Sequence, residues 1–359
     1  MASLAESPVR ADGVAVRDWA AGAAIMTNLA RHGRGVDRND LALLASAYHP
    51  DAEVAYGMFA GPARAFAEYL IGAMAGAPVT LHRTSNMRVR VAGDRARSES
   101  YVIAYMRGPD EGTDYQRLVG GRYLDRHERR DGVWKIAHRT YLLDWNANVP
   151  SRETWPVGAQ PPRGAQGDGD TGQRMFAEFR AENGQGEGGM IADEVDQALA
   201  KQALHDLGMT YARAVDRGDE ALLASVFHPD AEVIAGVIDG IAPDYARDIV
   251  AMVRANLKST FHTVANEYYE VSGDIAAGES YVLAHMISLG DAPQETLTGG
   301  RYLDRYERRD GVWKIARRTF VHDWNMTQPV TEQSAGMYEA LPARGGYAPD
   351  DPSIAFWAE

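Results

Sequence analysis

The chain of 359 residues contains no cysteine. That excludes disulfides, thiolate nucleophiles and cysteine-ligated zinc or iron-sulfur sites, and it suits a reducing, cytoplasmic setting. Positive charge is also scarce: 37 Lys and Arg stand against 50 Asp and Glu, for a net charge of -13. Such a balance argues against a nucleic-acid surface. The arginine clusters DRHERR (residues 125 to 130) and DRYERR (residues 304 to 309) are broken by acids and read as exposed strand positions. No apolar run approaches a membrane span, and the short one at residues 20 to 30 lacks the basic start and cleavage pattern of a signal peptide. No histidine and carboxylate set has zinc spacing, and there is no Gly-rich phosphate loop, since Gly120 and Gly121 lie in strand context with no helix behind them. The expectation is a protein that uses no metal or cofactor and binds neither nucleic acid nor membrane.

What the chain does have is a repeated sentence. GGRYLDRHERRDGVWKIAHRTYLLDWN, residues 120 to 146, returns as GGRYLDRYERRDGVWKIARRTFVHDWN, residues 299 to 325. The match extends to VDRNDLALLASAYHPDAEV at residues 36 to 54 against VDRGDEALLASVFHPDAEV at 215 to 233, and to LHRTSN at 81 to 86 against FHTVAN at 261 to 266. The tails echo too, QPPRG at residues 160 to 164 against LPARG at 341 to 345, each followed by an acidic turn and an aromatic: Phe176, and Phe356 with Trp357. A repeat of half the chain is a whole domain rather than a solenoid unit. Two domains follow, residues 1–180 and 181–359, with residues 184 to 189 as a hinge. Symmetry leads us to expect an internal pseudo-dimer facing across a twofold, with room for further homo-oligomerisation. The tails are either linkers or straps anchored on a domain surface, and their repetition favours straps.

Each half opens with a helical stretch, residues 14 to 36 and 191 to 215, whose apolar residues recur at spacings of three and four. Asp40 and Asp219 stand where the N-caps of a short second helix belong, and His49-Pro50-Asp51 and His228-Pro229-Asp230 end that helix because proline cannot continue it. A strand and a third helix follow, residues 62 to 75 and 243 to 257. The period then changes to two. Residues 81 to 91, 97 to 107, 118 to 129 and 133 to 144 read as four long strands, with Asp131-Gly132 and its copy Asp310-Gly311 as the last hairpin turn. The fold class expected is α+β: two tandem cone-shaped α+β barrels, each a curved antiparallel sheet packed on three helices around a cavity.

Few residues suit chemistry in such a cavity. Asp37 and His82 recur as Asp216 and His262, the aspartate at a helix end and the histidine in a strand. An acid at a helix C-terminus faces the unfavourable end of the dipole and needs a partner. Bonded to one imidazole nitrogen, it fixes the tautomer and raises the basicity of the other. Taken alone, the same residues also describe turn-forming aspartates and satisfied core histidines. Asn86 and Asn266, four residues beyond the histidines, either donate to a substrate oxygen or satisfy nearby backbone. His32 and Tyr211 stand five residues before the aspartates, and Tyr105 and His285 in the middle strand, so each half has one extra imidazole and one extra phenol in exchanged places. Arg107 shares the strand face of Tyr105, against Ile287 in the second half. Trp145 and Trp324 are expected at the cavity mouth, Trp134 and Trp313 in the sheet core, His49 and His228 as caps, and His127 and His138 on exposed strands.

These motifs, VDRND, LHRTSN and GGRYLDRHERRDGVWKIAHR with their copies VDRGD, FHTVAN and GGRYLDRYERRDGVWKIARR, resemble the SnoaL-like branch of the nuclear-transport-factor-2-like superfamily. Within it the chain is similar to hexachlorocyclohexane dehydrochlorinases, whose catalytic pair is a helix-end Asp in a GVDKR-like stretch and a strand His followed by Asn. That implies a dyad of Asp37 with His82 and of Asp216 with His262. A second likeness is to bile acid 7α-dehydratases, which add a Tyr before the Asp, matched by Tyr211 and replaced by His32 in the first half. Their later strand Asp is kept in neither half, where Tyr105 and His285 stand. The resemblance implies a cofactor-free lyase in which the dyad is general base for elimination (dehydration, dehydrohalogenation or formaldehyde loss) on a small hydrophobic substrate, aromatic or steroidal. Tyr211 and His285 would protonate the leaving group, and His32, Asn86, Tyr105, Arg107, Trp145, Asn266 and Trp324 would line the substrate. Ketosteroid-type isomerisation and non-catalytic binding are the alternatives on the same fold. The second half, with Tyr211, is the one expected to be active.

Overall fold

A computed structural model describes residues 13–57, 59–75, 80–110, 113–151, 162–183, 191–332, 346–351 and 354. The first half runs α1 (Gly13–Asp37), α2 (Leu41–Ser46), β1 (Tyr48–Ala55), β2 (Ala60–Pro62), α3 (Ala63–Met74), β3 (Leu81–Ala92), β4 (Arg95–Asp110), β5 (Thr113–Arg130) and β6 (Val133–Pro150). Its tail adds a helix the sequence reading did not contain, α4 (Thr171–Asn183). The second half repeats the order as α5 (Ile191–Arg217), α6 (Glu220–Ser225), β7 (Phe227–Ile234), β8 (Asp239–Ile241), α7 (Ala242–Asn256), β9 (Leu257–Ser272), β10 (Ile275–Ser288), β11 (Gln294–Arg309) and β12 (Val312–Pro329). Among these described residues no helix is long and apolar enough to cross a membrane.

Local chemistry accounts for the boundaries. Asp40 and Asp219 cap α2 and α6, each side chain accepting from a backbone N–H of the first turn at 2.9 Å. Those helices stop earlier than expected. Tyr48 and Phe227 already pair with Ile136 and Ile315 of the last strands, so the His-Pro-Asp triplets lie in β1 and β7 instead of ending a helix. His49 and His228 accordingly bond the Glu128 and Glu307 carbonyls at 2.9 and 3.0 Å and cap nothing. Asp131 and Gly132, like Asp310 and Gly311, hold positive φ, as a two-residue hairpin turn requires. The double glycine of the repeated sentence sits at a bulge, where the register with the last strand slips. A Cβ at Gly300 would come 2.5 Å from the Val321 carbonyl oxygen, so only glycine fits there.

Each half forms a six-stranded sheet, in the orders β2-β1-β6-β5-β4-β3 and β8-β7-β12-β11-β10-β9. The four-strand meander is antiparallel, but β1 joins β6 in parallel and β7 joins β12 likewise, so the sheet is mixed and open, not purely antiparallel or closed into a barrel. α3 carries the chain from one edge to the other before the meander begins, which brings β6 back beside β1. The cores lie between each sheet and its helices, around Leu44, Phe66 and Ile136 in the first half and Leu223, Ile249 and Ile315 in the second. The DRHERR stretch is only partly exposed. Asp125 is buried under a bidentate bond from Arg139 at 2.7 and 2.8 Å, and His127 is buried against Ser98 Oγ at 2.8 Å. Burial pushes the His127 imidazole down to about 4, so it is buried and neutral, and not an exposed strand residue.

The junction between the halves is head-to-tail. α1 and the first tail lie on the outer face of the second sheet, where Ala30, Phe176 and Phe179 pack against Tyr268 and Ala277. A buried ion network accompanies them: Arg34 meets Glu279 at 3.1 Å, and Arg301 meets Asp170, Glu279 and Asp323 at 2.7, 3.1 and 3.1 Å. A twofold would require α5 to lie on β3 in the same way, and among the described residues it makes no comparable contact. The expected twofold facing is therefore replaced by a heterologous contact. The first tail is a strap, as its repetition suggested, but it crosses to the other domain. In the second tail Asp351 bonds Arg217 of its own domain at 2.7 Å; Phe356, Trp357 and the expected hinge at 184 to 189 lie outside the described residues.

Candidate active site

α5 runs to its last turn before Gly218, in the left-handed region at φ 59, turns the chain away. That places Asp216 at the helix end beside β9. Its Oδ2 accepts the backbone N–H of His262 at 2.8 Å and its Oδ1 faces His262 Nδ1 at 2.7 Å. The first half repeats the arrangement. Asp37 Oδ2 accepts His82 N–H at 2.8 Å, and Oδ1 faces Nδ1 at 2.6 Å while also accepting from Thr80 Oγ1 at 2.9 Å. Burial pushes the Asp37 carboxyl up, but the charge and hydrogen bonds of His82, with Arg38 nearby, outweigh it and hold it below the ordinary carboxylate value. With Nδ1 on the carboxylate, Nε2 of either ring is the lone-pair nitrogen. It has no protein hydrogen-bond partner among the described residues.

The two imidazoles open onto different surroundings. His262 faces a cavity of about 540 Å³ between α5, α7 and the concave face of the second sheet, a volume typical of small-molecule sites. Its walls are mostly apolar, with Val215, Ile249, Val282 and Ala284 among them, and its polar groups include Tyr211, His322 and Asn325. Tyr211 Oη lies 2.6 Å from Tyr245 Oη, and its ring stacks on the Arg318 guanidinium at 4.0 Å. Arg318 is in turn fixed by two 2.7 Å bonds to Asp304. In the first half one wall position differs. Tyr56, whose counterpart Ala235 lines the second cavity, packs 4.2 Å from Phe66 and stacks on Tyr141 at 5.2 Å.

The SnoaL-like domain model matches the sequence twice, over residues 17–140 and 196–319. The chain belongs to the SnoaL-like domain family. Over 127 residues it is 33% identical to hexachlorocyclohexane dehydrochlorinase 1 of Sphingobium indicum, a match that covers 34% of this chain and 82% of that protein. It is 34% identical over 128 residues to the gamma-hexachlorocyclohexane dehydrochlorinase of the same species, covering 35% of this chain and 81% of that one. Among solved structures, LinA aligns at 28% identity and a TM-score of 0.36, over 40% of this chain and 97% of its own.

Within this SnoaL-like pair the other expected site residues are placed as follows. Tyr211 lies in the second cavity. His32 is buried in the first core, 3.2 Å from Tyr48 Oη, and burial, helped by Arg139 and His82, lowers its pKa well below the usual value. His285 is not in the cavity: Ala284 is the residue paired with His262, so the next side chain points to the opposite face. There it stands 41% exposed, 3.9 Å from Glu295. Tyr105 and Arg107 point outward for the same reason. Tyr105 stacks on Trp324 at 4.2 Å across the junction, which buries both, and Arg107 pairs with Asp114 at 2.6 Å. Trp324 is thus a junction residue and not part of a cavity mouth. Asn266 is too, since its side chain bonds the His82 carbonyl and the Thr84 N–H of β3. The side chains of Asn86 and Trp145 lie outside those described.

His322, Asn325 and Tyr245 were missed. Burial, aided by Arg163, pushes the His322 imidazole down to about 4, so it is neutral, and Asn325 Nδ2 lies 3.2 Å from its Nε2. The signal available was the mismatch with Leu143, one of few departures inside the repeated sentence.

Proposed function

We propose that the second domain is a cofactor-free lyase and that His262 is its general base. Nε2 takes a proton from carbon, the C–H electron pair forms the double bond, and the leaving group departs with its own bonding pair. Asp216 holds the ring in the tautomer with Nδ1–H and stabilises the imidazolium that forms. Chloride leaves unaided, whereas a leaving hydroxyl takes a proton from the Tyr211–Tyr245 pair. Burial first, and Tyr211 second, raise the Tyr245 pKa, so that phenol stays protonated. The observation that carries this reading is the His262 ring, clamped at Nδ1 and unpartnered at Nε2, opening into an apolar cavity. The substrate class supported is a small hydrophobic molecule with an acidic C–H beside a leaving group. Hexachlorocyclohexane, named for the relatives, is the first compound to try.

The first domain serves as scaffold in this reading, because Tyr56 stands where the small Ala235 lines the second cavity. The test is turnover of halogenated and hydroxylated candidates by wild type, His82→Ala and His262→Ala, followed by chloride release and product mass. Loss of activity in His262→Ala alone is expected. Equal loss in His82→Ala would refute the assignment, and a product of unchanged mass would mark an isomerase.

A further inference from the structure

Duplication gives every surface its own control, and one surface exists here in two opposite states. On the second half, the outer face of β9, β10 and β11 is covered. Tyr281, packed with Leu81, Tyr105 and Trp324, and Leu303 are 1% and 3% exposed, and α1 and the first tail set Arg34 on Glu279 and Asp170 on Arg301. On the first half one end of the same face, at Leu81, Arg83 and Tyr105, is buried in the junction, and the rest is open. Tyr101 and Leu124 are 47% and 37% exposed, and the Arg122–Glu99 pair that corresponds to Arg301–Glu279 lies 31% and 41% exposed.

The open face has also changed its chemistry. Arg90 stands opposite Arg97, which stands opposite Arg126, so three guanidinium groups sit side by side on adjacent strands, without an ion pair among the described residues. Like charges directly opposite one another weaken a sheet unless something of the other sign covers them. Where the covered face has Tyr268, Glu270 and Ala277, the open one has Arg88, Arg90 and Arg97. The covering helix changes in the complementary sense. On the stripe of α1 that carries Arg34 stand Thr27 and Arg31; at the same positions α5 has Asp206, Thr210 and Arg213, so it gains an acid and loses a base. Asp206 is exposed, and Met209 is 36% exposed where its counterpart Ala30 is 4%. Asp351, which bonds Arg217 as Asp170 bonds Arg38, stands at the position from which Asp170 reaches Arg301.

We propose that a second copy of this chain docks α5, with Asp351 beside its end, on the open part of the outer face of the first half, as α1 and Asp170 dock within the chain. Among the described residues the exposed Asp206 and Met209 of α5 and the arginine row are left unused by the internal junction, and the net charge of -13 makes another copy an acidic partner for that row. A head-to-tail contact of this kind propagates until it closes into a ring.

Sedimentation velocity on the full chain tests this across a concentration series, with circular dichroism to verify folding. Wild type is expected to associate, more weakly at high salt. Arg90→Glu with Arg97→Glu, and separately Asp206→Arg, are each expected to weaken association by at least about tenfold. Combining all three changes in one chain restores part of it. A folded wild type that stays a single chain up to its solubility limit overturns the proposal. So does an oligomer indifferent to these reversals, or an unrelated acidic protein occupying the face in place of the second copy.

Discussion

Replacing Asp216 by Asn separates the shape of the dyad from its proton inventory. In the wild type two donors point at this carboxylate, the His262 backbone N–H at 2.8 Å and Nδ1–H at 2.7 Å. An amide has one oxygen. The backbone N–H cannot reverse its polarity, so it keeps the oxygen and the NH2 group turns to Nδ1. Nδ1 must then accept, the ring proton moves to Nε2, and the atom facing the cavity is no longer a base. A carboxylate-to-amide change of this kind in a histidine pair costs about 10⁴-fold in kcat, or about 5 kcal/mol in the barrier. The assay is steady-state elimination at neutral pH, beside near-ultraviolet circular dichroism to show that the cavity is intact. Asp37→Asn is the control, since the first domain is a scaffold in the proposed reading. A folded Asp216→Asn variant within tenfold of wild type would refute the general-base reasoning.

Two further outcomes concern stability. Arg301→Ala removes the one cation that touches Asp170, Glu279 and Asp323 together in a fully buried site. About 3–5 kcal/mol should be lost in urea unfolding, and a loss below about 1 kcal/mol would show that the network is not what holds the halves together. His127 and His322 have folded pKa values of about 4, lowered chiefly by burial, so between there and the ordinary value near 6.5 the unfolded chain binds more protons. Their contribution to stability is therefore complete above that ordinary value and is lost as pH falls towards 4. Thermal unfolding followed down this range should show a falling Tm, with a flatter profile for His127→Gln and His322→Asn.

Local order was legible in the sequence; the facing of side chains across strands was less so. Helices, meander and hairpin turns follow from periodicity, capping aspartates and Asp-Gly pairs, all of which act within a few residues. The Asp37–His82 and Asp216–His262 pairs were legible as well, because an acid repeated at the wrong end of a helix dipole needs a partner. His285, Tyr105 and Arg107 were misplaced because facing depends on register. His262 pairs with Ala284 and His82 with Ala104, so His285 and Tyr105, one residue further on, face the other side, and a shift of one residue would have exchanged the faces. The parallel pairing of β1 with β6 was hidden for a related reason, since it joins strands far apart in the chain.

The same geometry explains why two copies of one dyad need not share one task. In a twofold pair, equivalent residues would have equivalent neighbours. In a head-to-tail pair they do not, and every duplicated position is free to diverge. Asn266 shows how far this goes: it grips β3 at His82 and Thr84, so the strand that carries the first imidazole is fastened from the other domain. Asp37 fastens the same strand from α1 through His82 N–H and Thr80. The first Asp–His pair can thus persist as a clamp between helix and sheet without a substrate. The second, with Ala235 where the first half has Tyr56, keeps the same clamp and leaves Nε2 facing room for a substrate.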